Sequence, residues 1–256
     1  MIDLAITITT FSMMVMLFKY FDKIRVNNLI AITFNYFTAG TLALSSYLIE
    51  NSFIELKTYT NLTIVIIALI VGTLFVITFN LYAYSAQKIG ITLSTISNKM
   101  SMVIPILIGI ILFKEEVTFF KILGVFLALG AIVFSSKEDK KSEKLSQINI
   151  VILFLLFIGQ GLADGLLNWG QRNILNTQNM NLFFTLTFLS AGFAGGLYSF
   201  FKIKTSNLKM DKKSIFWGII LGIPNYLTLL YFIKSLKSEL FSSYQVFPIV
   251  NIGVIV

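Results

Sequence analysis

Twenty-three consecutive residues, Ile91 to Phe113, pass with one ionisable side chain, Lys99, and eight further runs of the chain are similarly apolar. At 1.5 Å per residue such a run covers roughly 30 Å of hydrocarbon as a helix. The runs fall at about 4–21, 29–49, 62–84, 91–113, 118–135, 148–170, 181–201, 214–234 and 240–256. They are too long for transmembrane strands, which are shorter and alternate. Because lipid cannot hydrogen-bond a backbone, the expected fold class is an all-α polytopic membrane protein. A composition 56% hydrophobic and 12% charged agrees, being far from that of an ordinary soluble domain.

Lys99 costs at least about 2.5 kcal/mol near the middle of a span. On a helical wheel, Leu93, Ile96, Met100, Val103, Ile104 and Leu107 share one side; Thr92, Thr95, Lys99, Met102, Asn98, Ser94, Ser101 and Ser97 share the other. The polar side must face protein or a water-filled cavity. The plainer reading is a lysine that snorkels to the interface or bonds neighbouring carbonyls.

The net charge of +8 does not mark a nucleic-acid protein, because the basic residues sit in short loops between apolar runs. Of the twenty Lys and Arg, thirteen lie in loops after spans 1, 3, 5 and 7, six in the other loops, and Lys99 inside a span. The positive-inside rule then places the amino terminus outside. Cysteine and histidine are absent, which removes disulfides, Cys/His metal sites and His-based catalytic triads. No phosphate-binding Gly-x-x-x-x-Gly-Lys loop supports ATP-driven transport. No cofactor is implied. The first run carries its positive charges after the apolar stretch and Asp3 before it, so it reads as a span and not a signal peptide.

The charged segment Ser135 to Gln147 separates five spans from four. The expected organisation is a five-span repeat at 1–135, a linker at 136–147 and a second repeat at 148–256, truncated in or after its fourth helix. Three echoes support it: Phe37-Thr38-Ala39-Gly40 with Leu189-Ser190-Ala191-Gly192, Asn80 with Asn225, and Pro105/Gly109 with Pro248/Gly253. The last echo sets Ser242 near the position of Lys99. An odd span count inverts the second repeat, as in many secondary transporters.

The stretch from Gln87 to Phe134 resembles the fourth and fifth helices of an EamA-type repeat of the drug/metabolite transporter superfamily. The resemblance rests on Gly90, Ser94 and Ser97 at the opening of the span, Pro105 in its middle and Phe113-Lys114-Glu115-Glu116 at its close. A helix opening near Thr118 with Gly124 and Gly130 follows. It implies ten helices in two inverted repeats, helices 1–4 and 6–9 around a central cavity and 5 and 10 peripheral. This sequence departs from the family by lacking a tenth span and its preceding glutamate. The loop charges also oppose the cytoplasmic amino terminus with which many members are drawn.

Other spans carry polar stripes. Thr73, Asn80, Tyr84 and Gln87 share a face of the third; Gln160, Asp164 and Asn168 follow i, i+4, i+8 in the sixth. Asn225 follows Pro224, and Tyr244 precedes Pro248. The expected substrate-binding set is Lys99, Asn98, Thr95, Asn80, Tyr84, Gln160, Asp164, Asn168, Asn225 and Tyr244. Asp164 is the one acid clearly inside a span, able to hold a substrate ammonium or exchange a proton. An ion pair with Lys99 is the structural alternative. Counted from the shared membrane face, however, Lys99 lies about 12 Å deep and Asp164 about 24 Å, which favours separate roles or a bridge through substrate. The pairs Gly161/Gly165, Gly192/Gly196 and Gly218/Gly222 have close-packing spacing, read as packing within the bundle.

The function expected is secondary transport, in the export direction, of a small polar metabolite such as an amino acid, organic acid or sugar derivative, by alternating access. The expected location is the inner cell membrane. H+ or Na+ is the expected coupling ion, and the protein is expected to be a monomer or homodimer with no nucleic-acid partner. A membrane-embedded enzyme or lipid-handling protein is the alternative; it lacks clustered carboxylates and a nucleophile beside a base. A small four-helix multidrug exporter would need a glutamate in the first span, where residues 4–18 hold no acid.

Overall fold

The structure is a computed structural model that describes residues 2–50, 62–114, 118–119, 122–123, 126–127, 130, 146–176, 179–206, 210–237 and 243–254. Its helices are α1 (Ile2–Lys23), α2 (Asn28–Glu50), α3 (Leu62–Lys88), α4 (Ile91–Met100), α5 (Val103–Phe113), α6 (Gln147–Asn173), α7 (Met180–Ser206), α8 (Lys212–Lys237) and α9 (Ser243–Gly253). Among the described residues, seven helical segments are long and apolar enough to cross a membrane, α4 and α5 together forming one of them. The protein is an all-α polytopic membrane protein. Most of the fifth span and the charged linker, with Glu115, Glu116, Gly124 and Ser242, lie outside the described residues.

The fourth span is not the continuous helix expected. It breaks at Ser101-Met102, and Pro105 explains where. Proline has no N–H to give the carbonyl four residues back, Ser101, and its ring crowds that carbonyl. The Ser101 oxygen instead accepts from Ile104 N at 3.0 Å, a tighter i to i+3 bond. Met102 N closes on Lys99 O at 3.3 Å in the same way. Pro224, by contrast, lies inside an α8 that runs on to Lys237.

Helix packing has a pattern of exchange. α2 lies along α7 and α8, and α7 lies along α2 and α3; α1 packs on α8 and α9, while α6 packs on α3 and on α4 with α5. Swapping α1 with α6, α2 with α7, α3 with α8, and α4 and α5 with α9 turns these pairs into one another. Bare glycines allow the closest approaches. A Cβ on Gly72 of α3 would strike the Thr187 carbonyl and Ser190 side chain of α7. One on Gly222 of α8 would strike the Asn35 carbonyl and Thr38 side chain of α2. Gly161 and Gly165 lie under Ile104 and Ile108 of α5, and Gly192 lies against Phe37, so these spaced pairs serve packing within the chain. Rings fill the centre: Tyr36 stacks on Phe79 at 5.6 Å, and Phe79 meets Phe18 edge-on at 5.7 Å.

Candidate functional site

A cavity of about 80 Å³ lies where α1, α2, α3, α4, α6, α8 and α9 converge. α1 gives it Thr7, Phe11 and Met14, and α6 gives Gln160, Asp164 and Leu167, the same i, i+4, i+7 face on each helix. α4 adds Asn98 and Lys99 from its last turn, and α8 adds Asn225 and Thr228. Phe75, Phe79, Leu229, Phe232, Phe247 and Val250 make much of the remaining wall.

Lys99 is 2% exposed, and its ammonium sits 3.5 Å from the centroid of the Phe11 ring. A desolvated cation over an aromatic face gains about 2 kcal/mol. The position at the carboxyl end of α4, where the helix dipole is negative, adds to it. Together these offset part of the cost of burial, and at 2% exposure Lys99 does not snorkel to the interface. Its carbonyl accepts the Asn251 side-chain amide of α9 at 3.3 Å, which ties the break in the fourth span to the ninth.

Asp164 faces the same cavity from α6, held by Gln160, whose Nε2 donates to Oδ1 at 2.9 Å. Lys99 and Asp164 interact electrostatically across the cavity without a direct ion pair. A basic and an acidic side chain therefore face one chamber, each in contact with neutral groups. On the far wall Asn225 Nδ2 donates to Asn35 Oδ1 at 3.1 Å, and Thr228 bonds the Pro224 carbonyl at 2.7 Å and Thr10 at 2.8 Å. Tyr36, fully buried, lines the cavity, and its hydroxyl has no hydrogen-bond partner among the described residues.

Of the ten residues expected to bind substrate, the cavity brings together Lys99, Asn98, Gln160, Asp164 and Asn225. Thr95 is elsewhere: its hydroxyl pairs with that of Tyr82 at 2.9 Å, linking α4 to α3. Asn168 is 1% exposed, does not line the cavity and has neither amide atom partnered among the described residues. Tyr244 belongs to α9, but its side chain is outside the described residues. Asn80 and Tyr84 line a separate groove between α2, α3 and α7, with Thr73, and Asn80 bonds its own helix at Val76 O, 2.7 Å away. The polar face of the third span is thus real but opens away from the cavity.

The echo of Asn80 with Asn225 fails for the same reason. The matched tetrapeptides of α2 and α7 set Thr187 opposite Asn35 and Ser190 opposite Thr38. Gly72 meets the first of each pair's helix and Gly222 the second, so these glycines correspond. Counting three on, Asn225 corresponds to Phe75, and both line the cavity. Residues missed from sequence are Thr7, Phe11, Tyr36, Thr228 and Asn251. The shared i, i+4, i+7 spacing of Thr7/Phe11/Met14 and Gln160/Asp164/Leu167 was the signal available for the first two.

The model of a family described as the EamA-like transporter family matches residues 2–137, more than half of the chain. An uncharacterized protein of Haemophilus influenzae is 28% identical over 231 residues, covering 88% of this chain and 76% of that protein.

Proposed function

The chain belongs to the EamA-like transporter family, a family of membrane transporters in the drug/metabolite transporter superfamily, and from that premise we propose that it carries a small zwitterion of the amino-acid class. The observation that carries this reading is the chamber in which Lys99 and Asp164 stand without pairing. A substrate with one carboxylate and one ammonium would satisfy both charges and add none. An organic acid would leave Asp164 facing a second anion, and a neutral sugar would leave both charges in low dielectric, where an unpaired charge is costly.

Transport proceeds by alternating access of two inverted repeats, 1–135 and 148–256, joined by 136–147, and the exchange pattern of helix packing supports that division. The cavity of about 80 Å³ is smaller than the roughly 150 Å³ that admits benzene elsewhere, so binding requires its aromatic walls to move. That need supports a closed form between two open ones. Export across the inner membrane, driven by H+ or Na+, by a monomer or homodimer, completes the proposal.

Counterflow in proteoliposomes with labelled amino acids, organic acids and sugars, with and without ion gradients, tests it. Amino acids should exchange and the other two classes should not. Exchange of a dicarboxylate or a sugar with no amino-acid flux would overturn the substrate class. Chemical turnover by the purified protein without a gradient would favour a membrane enzyme instead.

A further inference from the structure

The groove that takes Asn80 and Tyr84 is larger than the central cavity, about 700 Å³, and is built differently. It lies between the start of α2 and the later halves of α3 and α7, so one end of it is at the end of the bundle where Arg25, Lys88 and Lys204 also lie. That end holds Asn27, Asn28, Tyr84, Tyr198 and Lys202. Both asparagine oxygens are occupied: Asn27 Oδ1 accepts from Ile30 N at 3.3 Å and Asn28 Oδ1 from Gln87 Nε2 at 3.1 Å. Their amide N–H groups remain as donors. Among the described residues Lys202 is the one charged group lining the groove, 5.9 Å from the ring of Tyr198, and no acid lines it.

Away from this end the wall is mostly apolar, through Val76, Ile77, Leu81 and Ala194, the Asn80 amide and Thr73 hydroxyl there being bonded to carbonyls of their own helix, and it opens on the lipid-facing side, where Tyr84 is 48% and Tyr198 54% exposed. Donors and one cation at a membrane interface, above an apolar trough, match a phospholipid with an anionic headgroup. Tyrosines at headgroup level and basic pockets between helices are how such lipids are recognised. We infer that this groove is a binding site for one anionic phospholipid, its phosphate on Lys202, Asn27 and Asn28 and one acyl chain along α3 toward Thr73. A free phosphate would gain nothing from the trough, and a zwitterionic lipid would bring its own cation against Lys202. The inference does not depend on what the central cavity carries.

Electron spin resonance of spin-labelled lipids, with the purified protein in phosphatidylcholine bilayers, tests it. Phosphatidylglycerol should be preferred over phosphatidylcholine about fivefold at a slow-exchanging site, the factor expected of one basic side chain near the surface. Lys202→Gln should abolish the preference. Lys204→Gln, which removes the same charge two residues on but outside the groove, should keep it. Thr73→Phe fills the trough from an exposed position and should lower the number of immobilised lipids. Wild-type protein gives a readout free of any variant: the preference should persist in 1 M salt, where diffuse attraction is screened within about 3 Å. Equal retention of the two lipids, equal loss in Lys202→Gln and Lys204→Gln, an unchanged lipid count in Thr73→Phe, or loss of preference in salt would each overturn the site.

Discussion

The ammonium of Lys99 rests on the face of Phe11, 3.5 Å from the ring centroid, and not on the carboxylate of Asp164, which lines the same cavity. A basic side chain buried in a membrane protein is thus held by a ring from another span, while the acid that faces the same chamber is held by Gln160 of its own helix. Phe11 and Asp164 occupy matching positions on α1 and α6, so the two sites that flank Lys99 are one aromatic and one acidic.

If the ring holds the charge, removing it should matter only while the charge is present. Phe11→Leu should destabilise the protein in detergent by about 2 kcal/mol. In a Lys99→Met background the same change should cost at least about 1 kcal/mol less. A double-mutant cycle by thermal unfolding measures this; additive effects would mean that Phe11 acts through packing alone.

Both charges should be needed for transport and neither for insertion. Lys99→Met and Asp164→Asn should each reduce exchange in proteoliposomes by about 10–100-fold, the range for losing a charge-assisted hydrogen bond. Membrane yield should hold, because each change removes a buried charge. Full exchange by Lys99→Met would remove Lys99 from the site.

The separation of the two asparagines is open to a simple comparison. Asn80→Ala should leave exchange within about twofold of wild type, since removing a group that does not meet substrate costs under about 0.5 kcal/mol. Asn225→Leu should lower it by about tenfold, one unpaired buried amide at Asn35 being worth about 1–3 kcal/mol. The reverse order would mean that the third span turns its polar face inward during transport.

Glycine contacts between α3 and α7 and between α8 and α2 should be intolerant of a single methyl group. Gly72→Ala and Gly222→Ala should each destabilise by about 1–3 kcal/mol, the range for overpacking. Gly130→Ala, with nothing within 4 Å of its Cβ among the described residues, should be neutral or stabilise by up to about 1 kcal/mol. Thermal unfolding of the three variants in one detergent decides.

The spans were legible because the hydrocarbon sets their length, and the wheel of the fourth was legible because lipid excludes hydrogen-bonding groups. Lys99, Asn98, Gln160, Asp164 and Asn225 could be found for that reason, each being a polar group where lipid would penalise it. Phe11 left only the fainter signal of its spacing with Thr7 and Met14, because a phenylalanine in a span is ordinary until a lysine is seen resting on it.

What only the tertiary structure decided is which way each polar face turns. Sequence fixes that Thr73, Asn80 and Tyr84 share a stripe, but Gly72 docks α3 on α7, and that contact sets the rotation of the whole helix. At 100° per residue, Phe79 lies within roughly 20° of Gly72, and the polar stripe is turned roughly 80–120° from it. The aromatic face therefore closes the cavity and the polar stripe opens on the outer groove. Helical periodicity tells a chain that a face must avoid lipid or may meet it; which of two protein surroundings that face enters is settled by the closest backbone contact, made between residues 115 positions apart in the chain.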